Sequence, residues 1–161
     1  MSIKLKNIKI FVYDFDGVMT DNKVYVDQNG TEIVQVNRAD GLGVSEIKKL
    51  GIEQIIISTE KNPVVAFRAK KLQLPVSYGV KNKVQELMKF SKNENIDLDN
   101  MAFVGNDIND ADCMKIVGFP VAVADSVENI KTISKLILEK KGGDGAVREL
   151  CELIFKAHQN A

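Results

Sequence analysis

Short apolar runs alternate along this chain with stretches whose apolar residues return every three or four positions. Ile8-Lys9-Ile10-Phe11-Val12-Tyr13 runs into Asp14 and suits a buried parallel strand. Lys23–Val26 and Glu32–Val36 flank Asp27-Gln28-Asn29-Gly30, a turn tolerant of positive φ, and predict a β-hairpin over 23–36. Leu42–Leu50 has helical spacing, with Leu42, Val44, Ile47 and Leu50 as its apolar positions and Gly51 as its stop. Further strands are predicted over Glu53–Ile57, Val76–Val80, Met101–Val104 and Phe119–Val123, with Ile137-Leu138 ending a last strand or helix. Helices are predicted over Pro63–Leu72, Lys83–Phe90 (Val84, Leu87 and Met88 on one side), Asp110–Val117, Val127–Ile133 and Ala146–Lys156. The glycine tract Gly142–Gly145 reads as a flexible lead into the final helix.

Strands alternating with helices predict an α/β fold. We expect a Rossmann-like, doubly wound parallel sheet with helices on both faces and a hairpin insertion after the first strand. No repeat or linker divides the chain, so residues 1–161 are read as one domain, with a tail over 142–161.

Composition narrows the chemistry. Lys+Arg and Asp+Glu balance at 22 each, which argues against a nucleic-acid or membrane-surface partner. A single histidine, His158, excludes a multi-histidine metal site and disfavours a histidine-based triad. Cys113 and Cys151 form no CxxC pair and suit free thiols in a reducing cytoplasm. No signal peptide or apolar span is legible, so a cytoplasmic location is expected. The chemistry is left to carboxylates, hydroxyls, lysines or a hard metal.

In doubly wound sheets, ligands bind beyond the carboxyl ends of the strands. The first strand ends in Asp14-Phe15-Asp16-Gly17-Val18. Two carboxylates at i and i+2 share one side if the chain stays extended, and a divalent cation such as Mg²⁺ would relieve their repulsion. Aspartate is also a nucleophile in phosphoryl transfer, and a second carboxyl can serve as general acid and base. Taken alone, the pair reads first as a turn with capping aspartates. Ser58-Thr59 ends the second strand, where a hydroxyl and amides could hold a phosphate oxygen or simply cap a helix. Lys83 opens a helix, facing either an anion or solvent. Gly105-Asn106-Asp107-Ile108-Asn109-Asp110 ends another strand and offers either oxygen ligands for a cation or an Asx turn. Acid, hydroxyl, lysine and acid in this order make the equipment of Mg²⁺-assisted phosphoryl transfer.

These four segments resemble the motifs of the haloacid dehalogenase-like phosphatase superfamily. The likeness is to its small branch without a cap domain. That branch includes 3-deoxy-manno-octulosonate 8-phosphate phosphatases, phosphatases of nine-carbon sialic-type acid 9-phosphates, and the C-terminal domain of some N-acylneuraminate cytidylyltransferases. The resemblance extends over Thr20-Asp21, Arg38-Ala39-Asp40-Gly41 and Gly142–Glu149. Ser58–Val65 with Arg68 is nearer the sialic-acid side, because the octulosonate enzymes usually have Thr-Gly-Arg where this chain has Ser58-Thr59-Glu60.

The resemblance implies Asp14 as nucleophile and Asp16 as general acid/base, with Ser58 and Lys83 on the phosphoryl group. Mg²⁺ would be held by Asp14, the Asp16 carbonyl and the fourth motif (Asn106, Asp107, Asp110). Glu60, Arg68 and Arg148 are candidates for the sugar-acid end of a phosphorylated 2-keto-3-deoxy sugar acid. The family's fourth motif usually begins Gly-Asp; here Asn106 keeps a carbonyl oxygen but brings no charge, and Asp107 is the alternative ligand. The family also implies a homotetramer joined through the hairpins, with Arg148 of the tail reaching a neighbouring site or, alternatively, pairing with a nearby Glu. A weakly active or inactive tetramerisation module is the second reading. A receiver-type phospho-acceptor domain is a third, disfavoured by Asp-x-Asp-Gly and by the hairpin.

Overall fold

The structure, a computed structural model, describes residues 5–159. In chain order β1 (Ile10–Tyr13) is followed by a ribbon of β2 (Thr20–Val26) and β3 (Glu32–Val36). Then come α1 (Arg38–Lys48), β4 (Glu53–Ile57), α2 (Val64–Leu72), β5 (Val76–Ser77) and α3 (Lys83–Glu94). The chain continues through β6 (Met101–Gly105), α4 (Ala111–Ile116), β7 (Phe119–Ala122), α5 (Glu128–Ile133), β8 (Leu136–Ile137) and α6 (Ala146–Gln159).

Six strands form one parallel sheet in the order β5-β4-β1-β6-β7-β8, while β2 and β3 pair antiparallel outside it. Strand residues alternate between faces, and the two cores follow that alternation. Phe11, Tyr13, Ile56, Ala102 and Val104 pack with Val44 and Ile47 of α1, Val65 of α2, and Leu150 and Ile154 of α6. Ile10, Val12, Ile57 and Phe103 pack on the other face with Leu87 of α3, Met114 of α4 and Ile130 of α5. Three helices therefore cover each face, and no cap domain is present among the described residues. The chain leaves β1 toward β4 on one side and meets β6 on the other, which places the crevice of the sheet at the end of β1.

Several boundaries differ from the sequence reading. α1 starts at Arg38 rather than Leu42, because the Asn37 side chain accepts the Ala39 amide at 2.8 Å and caps the helix. Gly41 and Gly43 are poor helix formers and hide that first turn in the pattern. Leu42 is 65% exposed, so the core face of α1 is Gly43, Val44 and Ile47 with buried Asp40. α3 runs past Phe90 to Glu94, where Asn95 turns left-handed, and Met88 is exposed beside fully buried Leu87.

The tail differs most. The Gly142–Gly145 segment is not a free arm. The Gly143 amide donates to the Val18 carbonyl (3.1 Å) and the Gly142 amide to Asp125 Oδ1 (3.0 Å). Gly142 lies so close to the Gly17 carbonyl that a Cβ there would overlap it. Glu149 then accepts the amides of Glu139 and Lys140. Both cysteines are free and buried, and among the described residues no helix is long and apolar enough to cross a membrane.

Candidate active site

Asp14 is the first residue beyond β1, and the chain does not stay extended after it. The Val18, Met19 and Thr20 amides all donate to the Phe15 carbonyl, folding 15–19 into a tight turn. Gly17 takes φ +83° in that turn, a conformation that suits glycine. Thr20 holds the turn from within: its hydroxyl oxygen accepts the Gly17 and Asn22 amides at 3.1 Å and lies 3.5 Å from Asp16 Oδ1. Asp14 and Asp16 still line one cleft, though the turn, not extended-strand geometry, brings them there.

That cleft, of about 110 Å³, is completed by Asn22, Ser58, Thr59, Asn106, Asp107 and Asn109. Ser58 follows β4 and is buried; its hydroxyl oxygen accepts the Glu60 amide at 3.1 Å, leaving the O–H free to donate. Asn106 and Asp107 follow β6. Asn106 lies against Gly17, where any Cβ would overlap its amide. Asp107 caps a one-turn helix through Ile108, its Oδ1 accepting that amide at 2.7 Å.

Lys83, at the start of α3, is buried and bridges two carboxylates. Its Nζ lies 2.7 Å from Asp14 Oδ1 and 2.7 Å from Asp110 Oδ1. The other oxygen of Asp110 accepts the Asn106 amide at 2.9 Å and the Asp107 amide at 3.4 Å. Asp110, expected among the metal ligands, has no exposed surface and does not line the cleft; both its oxygens anchor Lys83 and the loop that carries Asn106. Among the described residues no three His, Cys, Asp or Glu side chains are grouped to hold a metal ion. The oxygen donors facing the cleft are carboxylate, amide and main chain, a set suited to a hard cation.

The electrostatics follow from burial. Desolvation, and after it the Asp110 carboxylate, pushes Asp14 up to about 7 against the pull of Lys83. Burial works against the charge of Lys83, but Asp14 and Asp110 outweigh it and raise its pKa above the usual lysine value. Asp16 is raised by burial first and by Glu60 second, the direction a general acid needs.

Beside the cleft and sharing Asp16 and Asn22 with it lies a pocket of about 230 Å³ lined by Glu32, Glu60 and Asn62. Glu60 is therefore adjacent to the carboxylates. Arg68 and Arg148 are not. Arg68 lines a separate cavity of about 630 Å³ with Arg38, Lys48 and Lys71; its Nη2 donates to the Asn37 carbonyl at 2.7 Å and its Nε is buried without a partner among the described residues. Arg148 Nε lies 2.7 Å from Glu152 and its Nη2 3.8 Å from Glu46, so it pairs with glutamates of its own chain. The sequence reading passed over Asn22, included Asn109 only within the Gly105–Asp110 segment and gave Thr20 no role. The Asp16-to-Thr20 spacing, with Gly17 between, is the local signal of that turn.

The sequence profile of the haloacid dehalogenase-like hydrolases matches residues 45–150. The chain is 34% identical over 155 residues to 3-deoxy-D-manno-octulosonate 8-phosphate phosphatase KdsC of Escherichia coli K12, covering 96% of this chain and 82% of that protein. A solved octulosonate 8-phosphate phosphatase from Moraxella catarrhalis, in complex with magnesium, phosphate and KDO, is 36% identical. It superposes with a TM-score of 0.94 over 99% of this chain and 92% of its own. The cobalt-bound form of the Haemophilus influenzae octulosonate 8-phosphate phosphatase is 29% identical, with a TM-score of 0.92 over 97% of this chain and 92% of its own.

Proposed function

The chain belongs to the haloacid dehalogenase-like hydrolases, and on that footing we propose that it is a Mg²⁺-dependent phosphatase of a phosphorylated 2-keto-3-deoxy sugar acid. The substrate is an octulosonate 8-phosphate or a nonulosonate 9-phosphate. The observation that carries this reading is the single cleft in which Asp14, Asp16, Ser58, Asn106 and Asp107 meet, with Lys83 on Asp14 from behind.

Asp14 attacks the phosphorus and the bond to the sugar oxygen breaks, giving an aspartyl-phosphate. Asp16, protonated, delivers its proton to the departing oxygen. Asp16 then takes a proton from water as the water oxygen attacks the same phosphorus, releasing phosphate and restoring Asp14. Lys83 favours the ionised form of Asp14 against the burial and the Asp110 charge that oppose it, and the Ser58 hydroxyl donates to a phosphoryl oxygen. Asp14, the Asp16 carbonyl and Asn106 or Asp107 supply the oxygens for Mg²⁺, which when bound screens the nucleophile from the phosphoryl charge. We assign Asp110 to positioning, since its oxygens are committed.

Glu60 accepts sugar hydroxyls from the adjoining pocket. Arg68 and Arg148 suit a carboxylate by their paired donors, and both lie away from this chain's cleft, so they reach a substrate only across an assembly. The hairpin supports a homotetramer: Val24, Tyr25, Val26 and Ile33 are 49–73% exposed on one ribbon. The reading as a weakly active assembly module is supported by Asn106, which brings no charge to the fourth motif.

Phosphate release from octulosonate 8-phosphate and nine-carbon 9-phosphates, at saturating Mg²⁺, separates the two. Turnover of either class supports the phosphatase. No release from any of them, by a chain that is tetrameric in light scattering, supports the assembly module.

A further inference from the structure

Asn106 is fixed more tightly than a surface loop residue. Its amide N–H donates to Asp110 Oδ2 (2.9 Å) and its carbonyl accepts the Val127 amide (3.0 Å). Its side chain is pressed on Gly17 and is nearly excluded from solvent. The side-chain amide is thus held beside the Asp16-Gly17 turn, with its nitrogen nearer Gly17 than its oxygen.

Much of the charge around that position is already engaged. Asp14 Oδ1 already takes the Lys83 ammonium and the Phe15 amide, both at 2.7 Å. Asp110 is spent on Lys83 and on two amides. Asp107 spends one oxygen on its helical turn. A cation entering the cleft meets Asp14, whose charge is shared with a lysine, one free oxygen of Asp107 and neutral amide and carbonyl oxygens; the Asp16 carboxyl also lines the cleft, but burial raises its pKa and in the phosphatase reading it is reserved for proton transfer. Affinity for hard cations rises with the number of charged ligands, and Mg²⁺ sites with few carboxylates commonly complete themselves with substrate phosphate.

Resting on the phosphatase reading of this cleft, we infer that Asn106 makes divalent-cation binding contingent on the phosphoryl group. The cation is held well only when a phosphate dianion occupies the Ser58-Thr59 end of the cleft, and the phosphate is held well only with the cation. The dianion supplies the charge that the Asn106 position withholds. By linkage, each ligand tightens the other by the same factor. Free protein would then stay largely metal-free, and metal and phosphorylated substrate would load together.

The test is calorimetric titration of Mg²⁺ into the full chain, with and without saturating inorganic phosphate, on wild type and on Asn106→Asp. In wild type the Mg²⁺ Kd falls at least about tenfold when phosphate is present. Asn106→Asp binds Mg²⁺ without phosphate at least about tenfold more tightly than wild type, and its dependence on phosphate shrinks. A wild-type Kd unmoved by phosphate overturns the inference, as does an Asn106→Asp chain that folds and binds Mg²⁺ no better. The wild-type comparison stands alone if the variant does not fold. Absence of Mg²⁺ binding in wild type under both conditions overturns the metal-dependent reading itself, whereas binding without coupling overturns only the contingency.

Discussion

The Lys83 ammonium sits 2.7 Å from Asp14 Oδ1, with almost no solvent reaching either group. The same nitrogen holds Asp110 at 2.7 Å, so one cation balances two buried carboxylates. Removing it leaves both charges uncompensated. Lys83→Ala is expected to lose about 3–5 kcal/mol of folding stability. Protonation of the orphaned acids relieves part of this, so the deficit against wild type is larger at pH 8 than at pH 5. Urea unfolding at the two pH values checks it; a deficit independent of pH contradicts the arrangement.

Gly17 links the nucleophile turn to the fourth motif. Alanine there combines φ +83° with overlap on the Asn106 amide, so backbone strain of about 1–3 kcal/mol adds to displacement of Asn106. Gly17→Ala is expected to lower Tm and to cut phosphate release more than tenfold. Full activity with an unchanged Tm would show that the close approach is not needed.

Asp40 gives a pH signature away from the cleft. Burial raises its carboxyl to about 6, although it accepts the Arg148 amide at 3.0 Å and lies near Arg68. The folded chain therefore holds this proton at pH values where the unfolded chain, with an ordinary value of 3.8, has lost it. Stability contributed by the neutral form is present below about pH 4 and is lost as pH rises through about 6. Asp40→Asn keeps an acceptor for Arg148 without the charge. Its stability relative to wild type is expected to increase by about 2 kcal/mol between pH 4 and pH 7. Parallel stability curves for the two proteins would refute this.

Glu60 raises Asp16, second to burial. If Asp16 acts as the general acid, activity falls on the alkaline side as it deprotonates. Glu60→Gln lowers the Asp16 pKa and should move the alkaline limb of the kcat/KM profile toward lower pH. A limb that stays in place, or moves up, removes Asp16 from that role.

Much of this was legible in the sequence because it is local. Three apolar runs ending in polar residues marked the strand ends, and the parallel sheet brings Asp14, Ser58 and Asn106 together there. What was not legible depends on contacts between distant segments or on glycine. The start of α1 lay behind Gly41 and Gly43. Leu42 and Met88 fitted a helical period but face solvent. The 27-residue reach from Asp110 to Lys83 has no local pattern to mark it. The Gly142–Gly145 tract looked loose, yet its glycines permit close packing on the Val18 and Gly17 carbonyls. Arg148 found its glutamates at i+4 and on α1, a pairing that the sequence left open against reach to a neighbouring site.

The central claim is that Asp14 is the nucleophile of a sugar-acid phosphatase, and phosphate release by Asp14→Asn tests it most directly. The variant keeps the Lys83–Asp110 pair and loses one of two repelling buried charges, so it is expected to fold with a Tm at least equal to wild type. With octulosonate 8-phosphate or a nonulosonate 9-phosphate and saturating Mg²⁺, wild type should release phosphate and Asp14→Asn should be slower by at least about 10³-fold. Release by the variant at the wild-type rate would contradict the account.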